Sequence, residues 1–280
     1  MIEPARIAAR IALLTFLVSS LLAAGLTLKL RAILEPWRDR RLVLVALVLN
    51  FVAAPALAVF LVRVIPIERP YAIGLLLLGG AAGAPFLPKL VEGAGGDLGF
   101  AVALMTLLTV GTTFFMPFVL PLIVPGLQAS PWSIARPLIA LILAPLAIGM
   151  VWRSWAPASS AVFQPILARL GSLSAVVLIV LLGLLYFDDL LDLLGSGVLA
   201  AAAVYIGSLT VAGYLLGGPH DRIRGVLGLG TGARNIGAAL VAASESFSEP
   251  KVMIMLVAST IVMLILLVPA ARWLRAKARS

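Results

Sequence analysis

The chain has 280 residues, 62% hydrophobic and 12% charged, with a formal net charge of +9 and no cysteine. Soluble domains carry about 25% charged residues, so this composition indicates a polytopic membrane protein. It excludes disulfides, thiolate metal sites and cysteine nucleophiles. The single histidine, His220, lies in a Gly-Gly-Pro-His turn and lacks the company a zinc site requires. The basic excess fits the cytoplasmic loops of a membrane protein rather than a nucleic-acid surface.

Stretches free of charge mark the spans in chain order. The first is 11–28. Arg6 and Arg10 precede it, but it ends in LTLKLR instead of a small-residue cleavage site, so it reads as a spanning helix and not a signal peptide. The second is 42–62, with Pro55 inside it. The third is 70–88 and carries Gly79-Gly80-Ala81-Ala82-Gly83-Ala84-Pro85. The fourth runs from Asp97 to about residue 124 and is ended by the Pro-Gly and Ser-Pro turn signals of 125–131. The fifth lies within 133–152. Residues 153–166, with Trp155, Pro157, Ser159, Ser160 and Pro165, read as a loop. The sixth is 167–187, closed by Asp188, Asp189 and Asp192. The seventh is 196–217, closed by Gly217-Gly218-Pro219. The eighth is 225–244 and the ninth 252–271. The expectation is an all-α integral membrane protein of about nine transmembrane helices, forming one transporter domain over 1–280.

Nine spans place the termini on opposite sides. Of the 21 Lys and Arg residues, six (Arg6, Arg10, Arg63, Arg69, Arg136 and Lys251) fall on the side of the N-terminus. Fourteen fall on the other side, and Arg234 is the remainder. The positive-inside rule then puts the N-terminus outside and the C-terminus in the cytoplasm.

The eighth stretch, GVLGLGTGARNIGAALVAAS, is long enough to cross a bilayer yet holds Arg234 at its middle among Gly225, Gly228, Gly230, Gly232 and Gly237. A charge at that depth is costly and faces a cavity or a partner. Dense glycine weakens a helix. The segment therefore reads as a helix broken near mid-membrane, of the kind that marks substrate sites in secondary transporters. The third stretch repeats these features. GGAAGAPF (79–86) aligns with GLGTGARN (228–235), Gly79 over Gly228, Gly83 over Gly232 and Ala84 over Ala233. The two stretches enter from opposite sides, the pattern of inverted repeats, here roughly 1–128 and 129–280. The break residues are Gly79, Gly80, Gly83 and Pro85 in one, Gly230 and Gly232 in the other. The competing explanation is close packing, since both stretches contain G-x-x-x-G. Pro85 and Arg234 favour a site, because proline removes a ladder donor and packing gives no reason for the arginine.

At these residues the chain resembles the bile acid:sodium symporter family. The resemblance lies in GLTLKL (25–30), in LNFVAAPALAVFL with Asn50 and Pro55, in LLLLGGAAGAP, in TTFFMPFVLP (112–121), in YLLGG (214–218) and in GLGTGARNIGAALVAA, and covers about residues 11–270. It implies a bacterial inner (plasma) membrane protein with a core domain holding two crossing broken helices, a smaller panel domain, and an organic anion bound between them. It also exposes departures. The sodium-coupled pattern has Ser-Asn where this chain has Gly83 and Ala84. It has Glu at the position of Gly230 and Gln at that of Arg234, and only Asn235 is kept. Sodium wants several oxygens, whereas a guanidinium supplies a positive charge that cannot be released. Sodium coupling is therefore doubtful, and Arg234 is expected either as a permanent structural cation or as a bidentate partner of an anionic substrate.

The remaining candidates for substrate contact are Asn235, Thr231, Thr109, Thr113 and Asn50. A residual sodium site would fall on Thr106, Thr109 and Asn235. Thr106, Thr109 and Thr113 share one helical face, with self-satisfied membrane threonines as the plainer reading. No Asp or Glu lies at mid-membrane to serve as a proton carrier, and nothing pairs into a catalytic constellation. The expectation is a non-enzymatic carrier of a small organic anion, with the lipid bilayer as its other partner, no nucleic acid, and no cofactor beyond a doubtful sodium. A sodium symporter with a rebuilt ion site, and a channel or non-transporting sensor, are the alternatives. Substrate identity and oligomeric state are not readable from the residues.

Overall fold

The computed structural model describes residues 2–28, 39–124, 126–127, 129–247 and 249–278. Lys29, Arg31, Arg38 and Arg279 of the charge tally lie outside them, as does the end of GLTLKL; of Glu245 only the backbone is described. The described residues form helices and no strand. They are α1 (Ile2–Thr27), α2 (Arg40–Val64), α3 (Arg69–Gly80), α4 (Leu87–Ala94), α5 (Leu98–Ile123) and α6 (Pro131–Trp155). There follow α7 (Pro157–Leu185), α8 (Phe187–Asp192), α9 (Val198–Leu216), α10 (Asp221–Gly232), α11 (Ile236–Ser246) and α12 (Pro250–Lys277). The fold is that of an all-α integral membrane protein.

Eight helical stretches are long and apolar enough to cross a membrane: α1, α2, α5, α6, α7, α9, the α10–α11 pair and α12. The third expected span falls short by length, because its break leaves halves of 12 and 8 residues. The expected loop at 153–166 is wrong. α6 continues to Trp155 and α7 begins at Pro157, so only Ala156 separates them. Pro157 sits in the first turn of α7, where a missing N–H costs nothing. The Ser159 and Ser160 hydroxyls donate back to the carbonyls of Ala156 and Pro157.

Local chemistry sets the other boundaries. Asp39, Asp97 and Ser130 cap α2, α5 and α6 by accepting the N–H groups of Leu42, Phe100 and Ser133. Pro55 and Pro145 lack the N–H that an α-helical ladder needs. In each case the turn before the proline widens into a π turn, Leu49–Ala53 in α2 and Ile139–Leu143 in α6.

The helices pack in two groups. α1 lies along α6 and α7, while α2, α3, α5, α9, α10, α11 and α12 interlock around the two breaks. The first half of α6 also touches α5 and α11 and joins the groups. Burial identifies the centre: 94% of the α10–α11 window is enclosed, against 17% of the α7 window. Ion pairs connect helix ends that the sequence puts on the same side. Lys251 meets Glu68 at 2.6 Å, and Lys277 meets Asp221 at 3.1 Å.

The α1–α6 contact depends on glycine. A Cβ on Gly25 would lie 2.9 Å from both Gly149 Cα and Met150 N, which are backbone atoms that cannot turn aside. Gly149→Val is expected to separate these helices and lower the melting temperature of the purified protein. An unchanged melt would contradict the packing described.

Candidate functional site

The two breaks meet. α3 ends at Gly80, residues 81–84 run without helical structure, and α4 starts at Leu87. α10 ends at Gly232, and α11 starts at Ile236. The Asn235 N–H donates to the Ala81 carbonyl at 3.0 Å, so each break supplies the other's missing backbone partner. Asn235 adds two bonds. Its Nδ2 donates to Gly83 O at 3.0 Å, and its Oδ1 accepts the Ala238 N–H at 3.0 Å, capping α11.

α5 fixes the first break from the other side. Thr112 Oγ1 accepts the Ala82 N–H at 2.9 Å and donates to the Ala82 carbonyl at 3.0 Å. Thr109 Oγ1 donates to Gly83 O at 3.0 Å. Gly83 has φ +79°, and a Cβ there would lie 2.8 Å from the backbone of Leu108. Backbone conformation and space both demand glycine.

Arg234 fills the centre of the crossing and is 0% exposed. Its Nε donates to Leu78 O at 3.2 Å, and one terminal nitrogen donates to Gly79 O at 2.9 Å. The other terminal nitrogen donates to Asn50 Oδ1 at 2.8 Å and to Thr231 O at 3.5 Å. Its backbone N–H points at Met263 Sδ, 3.3 Å away. Leu78 and Gly79 close α3 and Thr231 closes α10, so the guanidinium caps the carbonyl ends of both half-helices. Such ends carry orphan acceptors and about half a negative charge each. Asn50, in the widened turn of α2, is held by its Nδ2 bond to Ala46 O at 2.9 Å.

The crossing thus brings together Arg234, Asn235, Asn50 and Thr109, with Gly79, Gly80, Gly83, Gly232 and the Thr231 carbonyl. Pro85 opens the turn into α4. The hydroxyls of Thr106, Thr113 and Thr231 instead donate to carbonyls of their own helices, at 2.8, 3.1 and 2.7 Å. Gly230 faces apolar neighbours: a Cβ there would lie 2.8 Å from Leu104 and 3.1 Å from Leu87.

Thr112, not among the candidate substrate or ion contacts read from the sequence, makes the two bonds to Ala82. Met263 carried no signal. Two buried hydroxyls, Tyr205 Oη and Ser259 Oγ, find no hydrogen-bond partner among the described residues.

A cleft lies between the helix groups. Its inner part, about 180 Å³, is lined by apolar side chains including Leu13 and Phe16 of α1, Leu178 of α7, Leu240 of α11 and Met263 of α12, and reaches Phe86 beside the first break. Its outer part, about 310 Å³, shares Leu13, Leu178, Leu182 and Leu240 with the inner part and adds Arg6, Arg10, Tyr186 and Ser244. The outer part lies at the start of α1, and the inner part reaches the level of the breaks. Beyond it, Lys89 Nζ of α4 donates to Ser172 Oγ of α7 and joins the two groups. None of these lining residues was read from the sequence as functional, because an apolar cleft wall and an apolar lipid face have the same composition.

Two helices broken at mid-depth, crossing beside a cleft between two helix groups, define a secondary-transporter architecture. Residues 14–191 match the sodium bile acid symporter family, and the chain belongs to that family. It is a multi-pass membrane transporter of that family. The match includes the first break and stops before the second, so Arg234 lies beyond it. No curated protein matches the chain.

Thr112→Val would leave the Ala82 N–H and carbonyl buried without partners, a loss of about 1–3 kcal/mol per unsatisfied group. It is expected to lower the melting temperature markedly, whereas Thr106→Val, whose carbonyl partner keeps its helical donor, changes it little. Equal effects of the two substitutions would contradict this assignment.

Proposed function

We propose that this transporter carries a small amphipathic organic anion by alternating access, with α1, α6 and α7 acting as panel against a core of the remaining long helices. The observation that carries the reading is the cleft: apolar along its depth, with Arg6 and Arg10 at its mouth and no Asp or Glu among the described residues of its lining. Arg6 and Arg10 are exposed and have no ion-pair partner among the described residues, so they present an unneutralised attraction to anions. The inner part of the cleft reaches Phe86 beside the first break, and Lys89 and Ser172 join the two helix groups.

The structural inverted repeat, roughly 1–128 and 129–280, is part of the same reading. So is the orientation: by the positive-inside rule the start of α1 is outside, the C-terminus is cytoplasmic, and the cleft opens outward in a plasma membrane. Substrate sits against the apolar wall and not on the guanidinium of Arg234, which is enclosed and does not line the cleft. The donor set at the crossing does not suit a bound sodium. The converging carbonyls already face a fixed cation, Gly230 faces leucines, and both ends of the Asn235 amide are engaged. No catalytic role is assigned to any residue.

The probe for the cleft is 4-phenylbutyrate with its neutral counterpart 4-phenylbutanol. Binding to the native state raises the melting temperature. The carboxylate is expected to stabilise the protein in a saturable way and more strongly than the alcohol, with the preference reduced in the Arg6→Ala, Arg10→Ala double variant. No stabilisation by amphipathic anions, or an identical response to acid and alcohol, would oppose the reading.

The native chain has no cysteine, so a Lys89→Cys, Ser172→Cys pair can be oxidised selectively. Oxidation is expected to hold the outward-open form and stop exchange of bound anion across proteoliposomes, with reduction restoring it. Undiminished exchange in the oxidised protein would contradict a moving panel.

A further inference from the structure

We infer that the crossing of the two breaks is a small-cation site whose occupant is tethered: the guanidinium of Arg234 holds it permanently, so the native protein needs no free cation there, and a variant lacking the guanidinium binds one from solution. This inference rests on the hydrogen-bond geometry of the crossing and does not require the cleft assignment.

The site is built like a cation cage. Three backbone carbonyls, from Leu78, Gly79 and Thr231, and the amide oxygen of Asn50 converge on one charged group. Two of those carbonyls end α3 and one ends α10, so the partial negative charge of two helix termini points at the same place. All twelve Asp and Glu residues lie outside both breaks. Among the described residues no ion pair includes Arg234, and its side-chain hydrogen bonds all go to neutral oxygens, so there the guanidinium is balanced by dipoles. It cannot leave, and it does not deprotonate in proteins.

The cage does not depend on Arg234 for its walls. Asn235 binds Ala81 and Gly83, Thr112 binds Ala82, and Thr109 binds Gly83. Collapse is resisted by close packing: a Cβ on Gly79 would already lie 2.9 Å from Ala58 Cβ. Truncating Arg234 thus leaves a lined polar void in which Gly79 O, Thr231 O and Asn50 Oδ1 lack donors while Leu78 O keeps the Ala81 N–H, not a healed core. Buried acceptors without partners are costly, and a small oxygen-seeking cation satisfies them.

The test is thermal unfolding of purified wild type and Arg234→Ala in choline chloride, with millimolar additions of guanidinium chloride or sodium chloride. Arg234→Gln serves in the same way if the alanine variant does not fold. Wild type is expected to melt at the same temperature with and without sodium. The variant is expected to melt lower and to regain part of the loss, saturably, with guanidinium or sodium but not with additional choline. A folded variant with no response to either cation would overturn the inference, as would saturable stabilisation of wild type by sodium. Including 4-phenylbutyrate as a further addition to wild type separates the two proposals. Failure of the anion arm with cation rescue intact removes the proposed substrate reading and leaves this one standing.

Discussion

The structure is organised by a single unfavourable group made favourable. A guanidinium at mid-depth in a membrane protein must be fully solvated by protein or it cannot be there. Arg234 meets that demand by taking the Gly79 and Thr231 carbonyls that two interrupted helices would otherwise leave bare and by sharing the Leu78 carbonyl with the Ala81 N–H. Each feature resolves the other's cost. The breaks supply acceptors, and the arginine supplies donors and a charge of the sign that helix C-termini favour. Asn50 closes the shell from α2, where a proline-induced widening of the turn places it.

This arrangement separates two tasks that a mobile ion would combine. The crossing is held by groups within the chain, and among the described residues the cleft beside it carries fixed charge only at its mouth. Met263 connects them, lining the cleft while its sulfur receives the Arg234 N–H. Under the proposed substrate reading, an anion against α11 and α12 would act on the crossing through packing, without replacing any of the guanidinium's partners.

Much of the plan was legible in the sequence. Charge-free runs located the spans, and Arg234 amid glycines, echoed by Gly79–Pro85, located both breaks. The resemblance read over 11–270 is wider than the family match at 14–191, which places Arg234 in the part that the chain's own residues must explain. Other features were hidden for physical reasons. Pro157, Ser159 and Ser160 look like a loop, but a helix start wants proline and hydroxyls too, so α7 began ten residues earlier than expected. Thr112 differs from Thr109 and Thr113 only in which backbone it meets. The cleft is built of leucines whose neighbours, cavity or lipid, are set by tertiary packing alone. The wall of close-packed glycines also shows why packing and site were inseparable readings of G-x-x-x-G: the same residues bring the helices together and leave room for the crossing.

The most direct measurement is hydrogen–deuterium exchange over the two breaks, residues 81–87 and 233–238, in sodium-free and sodium-containing buffer. A crossing locked by a tethered guanidinium keeps the amides of Ala82, Asn235 and Ala238 protected to the same degree in both. Protection that appears only when sodium is added would show that the lock comes from solution and not from Arg234, and would contradict the account.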